Sequence, residues 1–128
     1  MIVLDTHAFL WWAQGSRSLS PRAMSAIIRD GDLGIPAISL WELAMLADKG
    51  RIEFDRPVGE WLETATMLPG VRLLPITPAI AAASVSIGRV LRQDPADHLI
   101  AATALTLGAP LVTRDTVIPR LPGLVTIW

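Results

Sequence analysis

The amino-acid sequence predicts an α/β fold of three layers, in which helices cover both faces of a mainly parallel central sheet of four to five strands. Two observations lead to this prediction. Short apolar runs alternate along the chain with longer segments that carry helix-start and helix-stop residues, and strands separated by helices usually pair in parallel. The first run, residues 1–5, is apolar and ends in an acid, as a buried parallel strand does.

Each element is predicted from its own segment. Strands are expected at residues 1–5, 33–38, 71–77, 110–115 and 124–128. Helices are expected at residues 6–15, 19–32, 39–50, 57–68, 78–91 and 94–108. No repeat or low-complexity linker interrupts this order, so residues 1–128 are expected to form a single domain.

Helix ends provide the sharpest local signals. In the second helix Ser20 is expected to be the cap, with Pro21 at the first helical position. The third helix is expected to start at a capping Ser39 and to close at Gly50. The last helix is expected to have Asp94 as its cap, Pro95 first, and Gly108 at its end, where glycine is favoured.

Composition restricts the class of protein. A chain of 128 residues can bury a real core, and its hydrophobic content of 52% hints at a partner-covered surface. The absence of cysteine excludes disulfides, thiolate metal sites and thiol nucleophiles. No apolar run has membrane-spanning length, and the opening segment lacks the basic start of a signal peptide. A cytoplasmic protein without membrane contact is expected.

The net charge of −1 does not by itself indicate a nucleic-acid partner. If four of the 12 acidic residues held a metal, the other eight would face 11 basic residues, an excess of three positive charges. Ten of the basic residues are arginine, which suits bidentate phosphate contacts but is also common in GC-rich genes. Both explanations stay open.

Four acids are expected to converge at the carboxyl edge of the sheet. Asp5 and Asp115 follow strands directly, Glu42 lies early in the helix after the second strand, and Asp97 opens a helix. Ligands of open parallel sheets bind at this edge. Because the available ligands are oxygens and like charges repel, the pattern indicates Mg²⁺ or Mn²⁺.

Each acid also has a purely structural explanation. Ser39 and Glu42 fit a capping box, and Asp97 suits the helix dipole. Asp115 could open a turn, as aspartate often does. Asp5 is the hardest to explain structurally, because a strand-end acid has no evident capping or packing role. Four separate structural roles that all fall at one edge are a less economical explanation than one shared metal site.

Four segments together resemble the PIN-domain ribonucleases, and among them the VapC-type toxins of toxin–antitoxin pairs. They are MIVLDTHAFLWW, AISLWELAMLADKGRIEF, DPADHLIAATAL and LVTRD, and the resemblance covers nearly the whole chain. It implies a PIN-like fold and an endoribonuclease in which acids hold Mg²⁺ or Mn²⁺ and a water activated by the metal attacks a phosphodiester. Asp5, Glu42 and Asp97 correspond to the first three acids of the family, and Asp115 to the more variable fourth.

The resemblance also suggests individual roles. Asp5 and Asp97 are expected to be direct ligands, Glu42 to bind metal or orient water, and Thr113 to hold a carboxylate from behind. Arg114 is expected either to meet substrate phosphate or to neutralise its neighbour. His98 departs from the arginine that is frequent in the family.

Partners follow from the same resemblance. It implies an RNA substrate, a homodimer, and a cognate antitoxin whose tail lies across the N-terminal helices. Trp11 and Trp12 are adjacent in a predicted helix, so one of them is expected to be exposed in that groove.

Three functions compete at this point. The first is a metal-dependent endoribonuclease that acts as a toxin. The second is a housekeeping nuclease of the same fold, and the third is a nonenzymatic binding module whose acids are caps. A neighbouring gene for a small DNA-binding antitoxin would separate the first two, and metal titration would separate both from the third.

Overall fold

The computed structural model describes all 128 residues, and every predicted strand and helix is present. The strands are β1 Ile2–Leu4, β2 Leu33–Pro36, β3 Val71–Leu74, β4 Leu111–Val112 and β5 Thr126–Ile127. The helices are α1 Thr6–Gln14, α2 Pro21–Asp30, α3 Ala37–Asp48, α4 Val58–Thr66, α5 Pro78–Val90 and α6 Pro95–Leu107. A short 3₁₀ helix follows at Ile118–Arg120. None of the helices combines the length and apolar character needed to cross a bilayer.

All five strands are parallel, in the order β3-β2-β1-β4-β5. The chain builds outward from β1 to β3 and then returns to place β4 on the other side of β1. This reversal between β1 and β4 is a topological switch point, where the loops at the carboxyl ends of the strands diverge and leave a crevice. The prediction of a mainly parallel sheet is confirmed, and the sheet is parallel throughout.

Helices cover both faces of the sheet, which confirms the three-layer architecture. In β1, Ile2 and Leu4 point to one face, while Val3 points to the other, as the two-residue period of a strand requires. The first face packs against α1 to α4, with Phe9 at its centre. The second packs against α5 and α6, where small alanines let α6 approach the sheet closely.

The start of α3 differs from the prediction. The helix begins at Ala37, directly after Pro36 of β2, and no side chain caps it. Ser39 is therefore inside the helix and fully buried, so the predicted capping box with Glu42 is wrong. The reason is that β2 passes into α3 without a loop. The predicted closure at Gly50 is confirmed, since Gly50 has a φ of +68° and its N–H donates to the Ala47 carbonyl over 3.0 Å.

Two further helix starts differ in part from the prediction. Asp94 occupies the N-cap position of α6, but its side chain accepts no capping hydrogen bond. Asp5 caps α1, because its carboxylate accepts a hydrogen bond of 2.8 Å from the backbone N–H of Ala8. Asp5 therefore has a capping role that was not predicted, and Asp94 has the predicted position but no capping hydrogen bond from its side chain.

Candidate active site

The acids predicted from the sequence line one cavity at the carboxyl edge of the sheet. Its volume is about 240 Å³. Asp5 reaches it from the end of β1, Glu42 from the second turn of α3, Asp97 from the first turn of α6, and Asp115 from the loop after β4. Asp94, interpreted from the sequence only as a cap, is a fifth acid in the same lining.

None of these five carboxylates forms an ion pair within the protein. The ion pairs of the chain involve only Asp30, Asp32 and Asp55. At the same time, no three acidic or histidine side chains of the chain are arranged to hold a metal ion. The cavity is thus a concentration of negative charge rather than a finished ligand cage.

Asp97 shows the electrostatic consequence most clearly. Its pKa is raised to about 6, first by burial and then by the charges of Glu42, Asp115, Asp94 and Asp5. Burial disfavours the charged form, and each neighbouring carboxylate adds repulsion. A cation in the cavity would favour the charged form of Asp97 and would therefore oppose the effects of burial and of repulsion on its pKa.

The pKa values of Asp5 and Glu42 are also raised, and in both cases burial is the main cause. Hydrogen bonds oppose the shift. The Thr113 hydroxyl and the Ala8 N–H favour the charged form of Asp5, and the Thr6 hydroxyl favours that of Glu42. Thr113 is buried, and its hydroxyl oxygen also accepts a hydrogen bond of 3.0 Å from the backbone N–H of Asp115.

A buried pair of hydroxyls behind Glu42 was not found from the sequence. The Thr6 hydroxyl donates to the Glu42 carboxylate, and its oxygen lies 3.1 Å from that of Ser39. Since a hydroxyl has one proton, Ser39 donates to Thr6 when Thr6 donates to Glu42. In the sequence, the only indication of this pair was that Thr6 and Ser39 are small hydroxyl residues near the acids; their burial is evident only in the structure.

Asp115 is more engaged in local structure than the other acids. Its Oδ1 accepts hydrogen bonds from the N–H groups of Val117 (2.7 Å) and Ile118 (2.8 Å). The amide nitrogen of Gln93 lies 3.4 Å from each carboxylate oxygen. Asp115 therefore opens a turn, as its structural explanation proposed, and it also faces the cavity.

A second cavity, of about 460 Å³, adjoins the acids on the α1 side. Arg114 and Trp11 line it together with Asp5, Asp97 and Asp115. The Arg114 guanidinium lies 5.9 Å from the centre of the Trp11 ring, an arrangement that holds the cation without neutralising it. Arg114 makes no ion pair with Asp115, so the alternative that it neutralises its neighbour is not realised.

The two tryptophans of α1 differ from the prediction, and His98 lies apart from the acids. Trp11 and Trp12 are both only half-buried, and neither is the exposed tryptophan that was expected. Trp11 packs against Trp128, with ring centres 5.8 Å apart. His98 turns away from the acids: its Nε2 lies 2.9 Å from the Leu91 carbonyl oxygen, and its ring packs beside Gly88.

Comparisons with known proteins show which family and which structures the chain resembles. The family model described as "PIN domain" matches residues 2–124. The chain is 40% identical to Ribonuclease VapC22 of Mycobacterium tuberculosis (strain ATCC 25618 / H37Rv), over 99% of this chain and 98% of that protein.

Solved structures share the fold. One is a toxin–antitoxin complex from Klebsiella pneumoniae, with a TM-score of 0.70 and 20% identity. Another is VapBC2 from Rickettsia felis bound to a DNA fragment from their promoter, with a TM-score of 0.73 and 18% identity. In both cases 98% of this chain and 97% of the other are covered.

Proposed function

The chain belongs to the PIN-domain family, and on this premise we propose that it is an endoribonuclease that hydrolyses RNA phosphodiester bonds as the toxin of a toxin–antitoxin pair. It is a homologue, over nearly its whole length, of a protein named Ribonuclease VapC22. The observation that carries the proposal is the cavity at the carboxyl edge, where carboxylates gather without an ion-pair partner.

The donor set fits a hard divalent cation. Every available ligand is a carboxylate oxygen, which suits Mg²⁺ or Mn²⁺ better than softer metals. Mg²⁺ commonly keeps several waters and uses one or two carboxylates of the protein, so a closed cage of three is not required. The raised pKa of Asp97 supports this assignment, because nearby carboxylates that repel each other gain from a shared cation.

We assign the direct contacts to Asp5 and Asp97, whose carboxylates reach the cavity from the end of β1 and from the first turn of α6. When bound, the cation would lower the pKa of a water and stabilise the charge on the phosphate oxygens. Glu42 accepts a hydrogen bond from the Thr6 hydroxyl, which is itself hydrogen-bonded to the Ser39 hydroxyl, so Glu42 can orient a water at a defined position. Thr113 supports Asp5, and Asp115 contributes negative charge from its turn.

Arg114 is the proposed contact to the substrate phosphate. It is exposed, unpaired and held over Trp11 at the rim of the second cavity, beside Asp5 and Asp97. A guanidinium in this position can bind a phosphate oxygen while the acids retain their charge for the metal. This would counter the repulsion between the acidic cavity and an anionic strand.

Three further elements belong to the proposal. A cognate antitoxin protein would inhibit the enzyme, as the toxin role requires. The active form would be a homodimer, and the site of action would be the cytoplasm, where the RNA substrate is found.

The test combines cleavage with co-expression. Purified protein should cleave labelled RNA in Mg²⁺ or Mn²⁺ but not in chelator. Its expression should arrest growth, and the protein from the neighbouring gene should relieve the arrest. Cleavage without any growth arrest would favour the housekeeping nuclease. A protein that neither cleaves RNA nor responds to either metal would be the nonenzymatic binding module.

A further inference from the structure

Trp41 is the only tryptophan or phenylalanine of the chain that exposes most of its surface, with 57% accessible. It directly precedes Glu42 in α3. Trp61 is buried beside Phe9 and Phe54, and the other tryptophans are half-buried. An exposed tryptophan next to a proposed active-site acid is unexplained by packing.

Trp41 lines a groove of about 710 Å³ between α3 and the start of α6. Trp41 and Met45 of α3 and Lys49, which directly follows the helix, are spaced by four residues and line the same groove. Asp94 and Leu99 form part of the opposite wall. The groove thus combines a flat aromatic ring, apolar walls and charged ends.

The groove opens into the acid cavity. His7, Glu42 and Asp94 line both spaces. An RNA strand with one phosphate at the acids could therefore continue into the groove and pass over Trp41 along the protein surface.

Positive charge lies at the far end of the groove. Lys49, the only lysine of the chain, and Arg51 are both exposed, and neither forms an ion pair. A groove that holds an exposed aromatic ring and, farther along, unpaired cations matches the alternation of bases and phosphates along a nucleic-acid strand.

We infer that this groove binds the single-stranded RNA that flanks the cleaved bond, with a base stacked on Trp41 and a neighbouring phosphate held by Lys49 and Arg51. The inference rests on the proposed ribonuclease activity and specifies how its substrate is held. Stacking on an aromatic ring tolerates any base. The groove would therefore contribute affinity and favour unpaired RNA, without selecting a sequence.

A peptide segment or a second copy of the chain could also cover an apolar groove. RNA fits better for two reasons: the groove leads directly to the proposed cleavage centre, and its two cations have no acidic partner within the chain. A protein partner would make Trp41 important for association and leave RNA affinity unchanged.

The test measures binding of a fluorescein-labelled 12-nucleotide single-stranded RNA by anisotropy, in the presence of Mg²⁺. All proteins carry Asp97→Asn to prevent cleavage. Trp41→Ala should weaken binding by about tenfold, the scale of one stacked base. Trp41→Phe, which keeps an aromatic face, should recover most of the affinity. An RNA without bases should bind equally well with Trp41 present and after Trp41→Ala. Met67→Ala is the matched control, since Met67 is 83% exposed outside the groove.

The charge contribution is tested by salt dependence. Lys49→Ala and Arg51→Ala should each reduce the slope of log Kd against log salt by about one ion. Arg29→Ala should leave it unchanged, because Arg29 is an exposed arginine at the end of α2, near the opposite edge of the sheet.

Several results would overturn the inference. One is a wild-type protein that cleaves RNA while Trp41→Ala binds it with unchanged affinity. Another is unchanged RNA affinity combined with loss of dimer mass or of antitoxin binding, which would assign the groove to a protein partner. If the wild type neither binds nor cleaves RNA, the proposed function itself fails, and the inference fails with it.

Discussion

Acidic residues at the two edges of the sheet have opposite electrostatic surroundings. At the amino edge, Asp30 and Asp32 lie 3.4 and 3.9 Å from the N-terminal amine of Met1, and Asp32 is also 3.1 Å from the Arg72 guanidinium. At the carboxyl edge, five carboxylates line one cavity and none has an ion-pair partner.

The difference distinguishes structural acids from candidate functional acids. An acid that forms an ion pair with a cation of the chain needs no ligand to balance its charge. Carboxylates that raise one another's pKa, as at Asp97, carry a cost in the free protein that a bound cation or a proton relieves. Exchanging an acid for its amide at either edge should therefore have opposite consequences.

The largest expected effect is on catalysis. Asp97→Asn should reduce RNA cleavage by more than the roughly 10–100-fold that loss of an outer-shell metal partner causes, because a proposed direct ligand is lost. The measurement is the cleavage rate of a labelled RNA in Mg²⁺ or Mn²⁺. Asp32→Asn, the same change at the amino edge, should cleave at the wild-type rate. A fully active Asp97→Asn enzyme would show that the cavity is misassigned.

Metal binding should give the next largest effect. At a metal concentration about 100 times its Kd, the wild type should gain about 2.7 kcal/mol in free energy of unfolding through binding linkage. Denaturant unfolding with and without Mg²⁺ or Mn²⁺ measures this gain. Asp32→Asn should keep it and Asp97→Asn should lose most of it. If neither metal changes the stability of the wild type, the proposal that the acids at the carboxyl edge bind a cation is wrong.

The pH dependence of stability should also differ between the edges. The folded-state pKa of Asp97 is raised to about 6, so the folded protein holds this proton more tightly than the unfolded chain. In chelator, its contribution to the free energy of unfolding should fall as pH rises from about 4 through about 6. Because Asp97 is partly solvated, we expect roughly 1 kcal/mol.

Melting curves between pH 4 and 8 measure this trend. Asp97→Asn should flatten it, and Asp32→Asn should leave it in place. A stability that rises with pH across this window in the wild type, with no change in Asp97→Asn, would contradict the assigned electrostatics.

The smallest effects test the opposite signs directly. In chelator, Asp5→Asn should raise the melting temperature by an amount corresponding to roughly 1 kcal/mol, because it removes a buried charge from a repulsive cluster. Asparagine caps helices as well as aspartate does, so the cap on α1 is retained. Arg72→Ala should instead lower stability by a few tenths of a kcal/mol, as for an exposed ion pair. A destabilised Asp5→Asn would mean that capping outweighs repulsion.

Much of the fold was predictable because it depends on local patterns. The alternation of apolar strands with helices predicts a parallel sheet covered on both faces, and the carboxyl ends of such strands share an edge. Asp5 directly follows β1 and Asp115 lies three residues after β4, so their meeting required only that these strands be neighbours. Gly50 and Gly108 were identified as helix ends because glycine readily adopts a positive φ.

The remaining features depend on partners distant in sequence. Ser39 was interpreted as a cap, but it is buried against Thr6, which is 33 residues away. The exposed tryptophan was expected at Trp11 or Trp12, whereas it is Trp41, because helical position alone does not show which side chain another element covers. Asp94 was assigned to a cap that it does not make, and its place in the cavity depends on how α6 packs against α3.

The sequence by itself determined the alternation of elements, the approximate helix ends and the candidate acids, since each depends on a few neighbouring residues. Tertiary structure alone decided the strand order that brings β1 beside β4 and the hydroxyls that hold Glu42. It also decided which acids lie beside a positively charged group of the chain. The physical reason is that burial and Coulomb interactions depend on distances between groups far apart along the chain. Asp32 and Asp97 are the same residue type in the sequence, and only packing places one beside an arginine and the other among carboxylates.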